Sequence, residues 1–165
     1  MTRKILEIAY DEYENIDELP NEEEIETIEA AEDALKNNGH SPYSGFNVRA
    51  AVRTKTGKIF IGKNYENAAY GSTICAERAA ILEASNHGHI NDINIVAITG
   101  KSDECDSTEP IDACGSCRQV LVEAEQISGE EITIIAACTN GKIRRIVGMD
   151  NYLPFNFGPK HLGMV

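Results

Sequence analysis

The sequence predicts an α/β domain of three layers built around a mixed central sheet. Helical apolar spacing and strand patterns alternate along the chain. Two strand candidates, residues 93–98 and 132–137, are short continuous apolar runs of the kind covered on both faces. The 165 residues suffice for one sizeable core, and hydrophobic types make up 42% of them, as in an ordinary globular protein.

Residues 1–21 form an acidic, polar extension with scattered Ile5, Leu6, Ile8 and Ile16, expected to be partly helical up to Pro20. The main domain is expected to occupy 22–165. Asn21 followed by Glu24 has the form of a capping box, or at least of an N-cap with an acidic first turn. A helix over 22–36 follows, with Ile25, Ile28, Ala31 and Leu35 on one stripe and Asn38-Gly39 as its stop. Its glutamates read as a solvated face. Pro42-Tyr43-Ser44-Gly45 is a turn. Phe46, Val48, Ala50 and Val52 then alternate with Asn47, Arg49, Ala51 and Arg53, the period of a strand. Thr56-Gly57 turns the chain back into a second strand over 58–66. Residues 76–86 have helical spacing, closed by His87-Gly88, and 115–126 form another helix candidate beyond an acidic loop at 101–110. Asn140-Gly141 is a hairpin signal leading into Ile143, Arg145 and Val147. The tail Leu153-Pro154-Phe155-Asn156-Phe157-Gly158-Pro159 is irregular and aromatic.

The formal net charge of −12 argues against a polymeric nucleic-acid substrate, which needs a cationic footprint for its phosphates. An uncharged nucleoside feels little of that field. No apolar run reaches the roughly 18 residues of a membrane helix. Met1 to Tyr10 lacks the pattern of a signal peptide, so the cytoplasm is the expected location. Five cysteines, an odd number in such a chain, point to metal binding rather than to a disulfide framework.

Cys114 and Cys117 form a Cys-x-x-Cys pair. Alone it fits a redox pair, half of a structural zinc site, or chance. Cys75, at the start of the 76–86 helix, supplies a third thiol in a comparable place. Three protein ligands with a fourth position left for water is the pattern of catalytic zinc. Unpaired N–H groups at both helix starts favour thiolates there. Arg78 and Arg118 follow the ligand segments; Arg78 is expected to donate to ligand sulfurs, the alternative for both being surface ion pairs. Glu77, two residues past Cys75, is placed to move protons between water and substrate rather than merely to stabilise a helix dipole.

These segments together resemble the homotetrameric zinc-dependent cytidine deaminases over about residues 22–162. The resemblance rests on Pro42-Tyr43-Ser44-Gly45-Phe46, Asn64-Tyr65-Glu66-Asn67-Ala68-Ala69-Tyr70, Cys75-Ala76-Glu77-Arg78-Ala79-Ala80, Cys114-Gly115-Ser116-Cys117-Arg118-Gln119 and the aromatic tail. It implies an αβα sandwich with one zinc per subunit held by Cys75, Cys114 and Cys117, and Glu77 as proton shuttle. It further implies that Asn64 and Glu66 bind the ribose 3′-hydroxyl, that Phe46 flanks the base, and that the backbone at Ala76 contacts the pyrimidine. Phe46 by itself reads as a core strand residue. Phe157 is implied to stack on the base from a neighbouring subunit, and Tyr70 to lie near that junction. The activity implied is deamination of cytidine or deoxycytidine in pyrimidine salvage. Deaminases of N4-substituted cytidines or blasticidin-type aminonucleosides are the nearest alternative, a non-catalytic zinc scaffold the alternative of another class. Nucleotide and nucleic-acid editing deaminases commonly place His where Cys75 stands. Three departures from the family are Arg49, where it typically has Gly and where a cation is expected to alter the pocket or a subunit contact, Ala113, where it usually has Pro before the Cys-x-x-Cys, a small loss of loop stiffness, and the acidic residues 1–21, which exceed its usual start.

Overall fold

The computed structural model describes residues 1–37 and 39–165. Its strands are β1 (Asp11–Tyr13), β2 (Phe46–Thr54), β3 (Ile59–Lys63), β4 (Ile93–Ser102), β5 (Thr133–Ala137) and β6 (Ile143–Val147). Its helices are α1 (Glu22–Leu35), α2 (Ala76–Asn86), α3 (Gly115–Ser128) and the single turn α4 (Met149–Tyr152), with 3-10 turns at Ile16–Glu18, Tyr70–Ser72 and Pro159–Leu162. The strands form one sheet in the order β1-β6-β5-β4-β2-β3. Only β4 and β5 run parallel, with α3 as the crossover between them; the other pairs are antiparallel.

The period of two divides the core. Ala50, Val52, Val96, Ile98 and Ile134 face α2 and α3, and Ala51, Ile95, Ala97, Ile135 and Ile143 face Ile28 and Ala31 of α1. The three layers expected from the sequence are therefore present. The polar members of β2 are not a solvated edge: Arg49 is 2% exposed, and its guanidinium donates to the carbonyl oxygens of Ala34, Asn37 and Val48. It lies on the α1 face, opposite to Phe46 and Val48.

Two local expectations change. The capping box does not form: the Asn21 amide donates to the Glu24 carboxylate instead of receiving backbone N–H groups. Glu24 is buried and takes two hydrogen bonds from Arg145 of β6, at 2.8 and 2.9 Å. The acidic surface of α1 is thus not wholly solvated, because Arg53 likewise reaches Glu26 at 2.7 Å. The expected stop at Asn38-Gly39 falls partly on Asn38, outside the described residues.

Residues 11–13, expected within a partly helical stretch, add the edge strand β1 to β6. The cross-strand pairs Asp11 with Arg145 and Glu12 with Arg144 supply the attraction that the strand's own composition lacks. Leu19 beyond it closes the α1 side of the core.

Candidate metal centre and its pocket

α2 and α3 begin at the same place in space. Cys75 and Cys114 are their N-cap residues, both in extended conformation, with their carbonyls accepting the first helical N–H bonds from Ala79 and Arg118. Gly62 of β3 permits this approach, since a Cβ there would overlap the Ala76 carbonyl and the Ala80 amide nitrogen. Cys117, one turn into α3, completes a set of three sulfurs lying within 4.8 Å of one another. The Cys75–Cys114 Sγ separation is 3.9 Å and the Cys114–Cys117 separation 3.5 Å. Tetrahedral zinc with bonds of about 2.3 Å needs sulfurs about 3.8 Å apart, so the donor set fits that ion. Among the described residues it is the only such cluster.

The electrostatics favour thiolate at Cys75. Hydrogen bonding from Cys117 lowers its pKa to about 5, and the Arg78 charge acts in the same direction. Cys117 moves the opposite way, through its bond to Cys75 and through burial. Glu77 is 4% exposed. Burial pushes its carboxyl above the ordinary range, and the neighbouring Cys75 charge adds to the rise.

Cys75, Glu77 and Cys114 open onto a cavity of about 300 Å³, whose other walls include Phe46, Val48, Asn64, Glu66 and Asp112. That volume lies at the lower end of small-molecule sites. A buried carboxyl with a raised pKa, a zinc-type sulfur set and a hollow of small-molecule size therefore coincide.

The profile of the "Cytidine and deoxycytidylate deaminase zinc-binding region" matches residues 22–129. The chain belongs to this family. It is 43% identical over 104 residues to a probable cytidine deaminase of Dictyostelium discoideum, covering 62% of this chain and 67% of the relative. It is 41% identical over 98 residues to a cytidine deaminase of Halalkalibacterium halodurans, covering 59% and 66%. The alignments thus span about two thirds of these relatives. The crystal structure of cytidine deaminase from Burkholderia pseudomallei superposes with a TM-score of 0.70 at 34% identity, covering 80% of this chain and 97% of that one.

Within this deaminase fold the remaining residues fall into three groups. Phe46, Asn64, Glu66 and Ala76 line the cavity with the cysteines and Glu77. Asn64 is also a backbone clip: its Oδ1 accepts from the Val48 N–H at 2.9 Å, and its Nδ2 donates to the Phe46 carbonyl at 2.8 Å. Glu66 is held by the 42–45 turn, accepting from the Ser44 hydroxyl at 2.5 Å and from the N–H groups of Tyr43 and Ser44. Those bonds, the Ser44 hydroxyl first, hold its carboxyl below the usual range.

Tyr70 and Phe157 are not in the cavity. Tyr70 is exposed and packs edge-on against Tyr43 beside Glu66. Phe157 is exposed and stacks on His161. Arg78 donates to the Thr73 carbonyl at 2.7 Å, and its guanidinium also acts on the Cys75 sulfur, by charge and by hydrogen bonding. Arg118 is no surface ion pair: it donates to the carbonyls of Ala113 and Tyr152 and lies 4.0 Å over the Tyr152 ring. The expectation that Arg49 alters the pocket is corrected within this chain, because strand alternation turns its side chain into the α1 layer.

Sequence reasoning missed Asp112 and Tyr152. Asp112 walls the cavity two residues before Cys114, and adjacency was its available signal. Tyr152 is 39 residues from its partner Ala113, a separation with no sequence pattern to reveal it.

Proposed function

We propose that this deaminase converts cytidine or deoxycytidine and water into the corresponding uridine and ammonia, as a step of pyrimidine salvage. The reading is supported above all by the buried Glu77 opening, with Cys75 and Cys114, onto a nucleoside-sized cavity. Zinc, held by Cys75, Cys114 and Cys117, supplies the Lewis acidity that makes water a nucleophile at neutral pH. Glu77 accepts a proton from that water and delivers it to N3 of the pyrimidine as the oxygen bonds to C4; it then takes the remaining proton of the C4 hydroxyl and passes it to the amine, which leaves as ammonia as the C4–N bond breaks. Its burial keeps bulk water from competing for the proton and raises its basicity toward the task.

Glu66, kept anionic by the 42–45 turn, accepts from the ribose 3′-hydroxyl, while Asn64 fixes the strand edge beside it and offers its remaining donor. Phe46 flanks the base and the Ala76 backbone reads it. The exposed Phe157 and Tyr70 complete neighbouring sites in a homotetramer. All five cysteines are free, which fits a reducing compartment such as the cytoplasm.

The test is ultraviolet absorbance and ammonia release from the zinc-loaded protein with cytidine and deoxycytidine. Loss of the cytidine band is expected, and Glu77→Gln should abolish it while retaining zinc. Near-normal turnover by Glu77→Gln removes the assigned proton path. No turnover of either nucleoside redirects the substrate to N4-substituted cytidines.

A further inference from the structure

Cys114, like Cys75, is an N-cap residue without a side-chain cap bond. Cys117 lies inside α3 and is buried, whereas Cys114 is exposed and ends a loop that runs from the end of β4. The helix holds Cys114 through its carbonyl, which accepts from the Arg118 N–H, and no side-chain cap bond adds to that. The placement of Cys114 therefore depends also on what grips Ala113 just before it.

That grip is complete on both sides. The Ala113 N–H donates to the Tyr152 hydroxyl at 2.7 Å, and the Ala113 carbonyl accepts from Arg118 Nε at 2.8 Å. The Tyr152 hydroxyl in turn donates to Asp112 at 3.1 Å, and Asp112 is anchored by Arg144 of β6. The Arg118 guanidinium lies over the Tyr152 ring and donates to the Tyr152 carbonyl at 2.9 Å. Ala113 and Tyr152 are both 2% exposed, so water has no ready access to the bond between them. The clamp uses an N–H that a proline at this position would not possess.

We propose that Tyr152 is a positioning residue for the metal centre: its hydroxyl, oriented by Asp112, holds the Asp112–Ala113 peptide, while Arg118 holds the carbonyl of the Ala113–Cys114 peptide, so that the Cys114 sulfur stays in register with those of Cys75 and Cys117. The stiffness that Ala113 lacks as a residue is supplied by tertiary hydrogen bonds. The proposal rests on the assignment of the three cysteines as zinc ligands. Outer partners of this kind commonly alter metal affinity by about 10- to 100-fold.

The experiment is the rate of zinc release from the zinc-loaded full chain into excess chromogenic chelator, with bound zinc counted beforehand. Tyr152→Phe should release zinc about tenfold faster than the unmodified protein, the lower end of that range. Ala113→Pro removes the donor and crowds the hydroxyl, so it should also release faster. The double variant lacks the same one hydrogen bond and should release no faster than the faster single variant. A general loss of packing would instead make the two effects add. Release by Tyr152→Phe at the unmodified rate, or additive effects, overturns the clamp. Should Tyr152→Phe fail to fold, Asp112→Asn decides, with faster release expected and an unchanged rate overturning the proposal. An unmodified protein that takes up no zinc overturns the ligand assignment and the clamp together. One zinc bound with Tyr152 indifferent overturns the clamp alone.

Discussion

The Arg49 guanidinium donates to the Ala34 carbonyl at 3.1 Å, tying β2 to the last turn of α1. With its bond to Asn37, it places a cation at the negative end of a helix whose last carbonyls have no partners within the helix. Arg49→Gly should therefore lower stability by about 2 kcal/mol, the scale of losing charged hydrogen bonds from a buried site. Because the side chain lies in the α1 layer, kcat/KM should be unchanged. Denaturant melts and steady-state kinetics on one preparation check both halves.

Gly62 brings β3 against the first turn of α2. Gly62→Ala would force the helix outward, costing about 1–3 kcal/mol as overpacking and moving Cys75 and Glu77 with it. Zinc stoichiometry and kcat should fall together in this variant, although residue 62 touches no reacting atom. Retention of both would show that α2 shifts without disturbing the sulfur set.

The Ser44 hydroxyl is the largest influence keeping Glu66 below its ordinary value of 4.5. A depressed folded-state pKa contributes stability that is present above about pH 4.5 and is lost as pH falls through the lowered value. Ser44→Ala should move the Glu66 titration, followed by carboxyl NMR, upward toward 4.5. On the proposed reading, in which Glu66 binds the sugar, the substitution should also raise KM for cytidine more than it lowers kcat.

Phe157 is 59% exposed in a single chain. If it completes a neighbour's site, Phe157→Ala should raise KM, and sedimentation should show the unmodified protein as a tetramer. A monomeric protein with full activity would remove the shared-site reading.

The layer order and most elements were legible because apolar periodicity reports which face a residue buries. The helix at 76–86 and the strand at 143–147 have the expected ends, whereas β4 runs on to Ser102 and α3 to Ser128. The edge strand β1 was not legible: Asp11-Glu12-Tyr13 has no strand composition, and its pairing comes from Arg144 and Arg145, more than 130 residues away. The reading of α1's acidic face as solvated failed at Glu24 for the same reason, since its partner Arg145 lies on β6.

For the site, the sequence by itself determined the chemistry. The spacing of Cys114 and Cys117, the helix-starting Cys75 and the adjacent Glu77 mark a zinc-type donor set with a carboxylate beside it, because ligand type and helix phase are local properties. Tertiary structure decided what those groups face. It turned Arg49 away from the cavity, put Asp112 on its wall, spent part of Asn64 on β2, and recruited Tyr152 to hold the peptide before Cys114. Such contacts join residues far apart in the chain, and only the packing of α1, α3 and α4 around the sheet brings them within hydrogen-bonding distance.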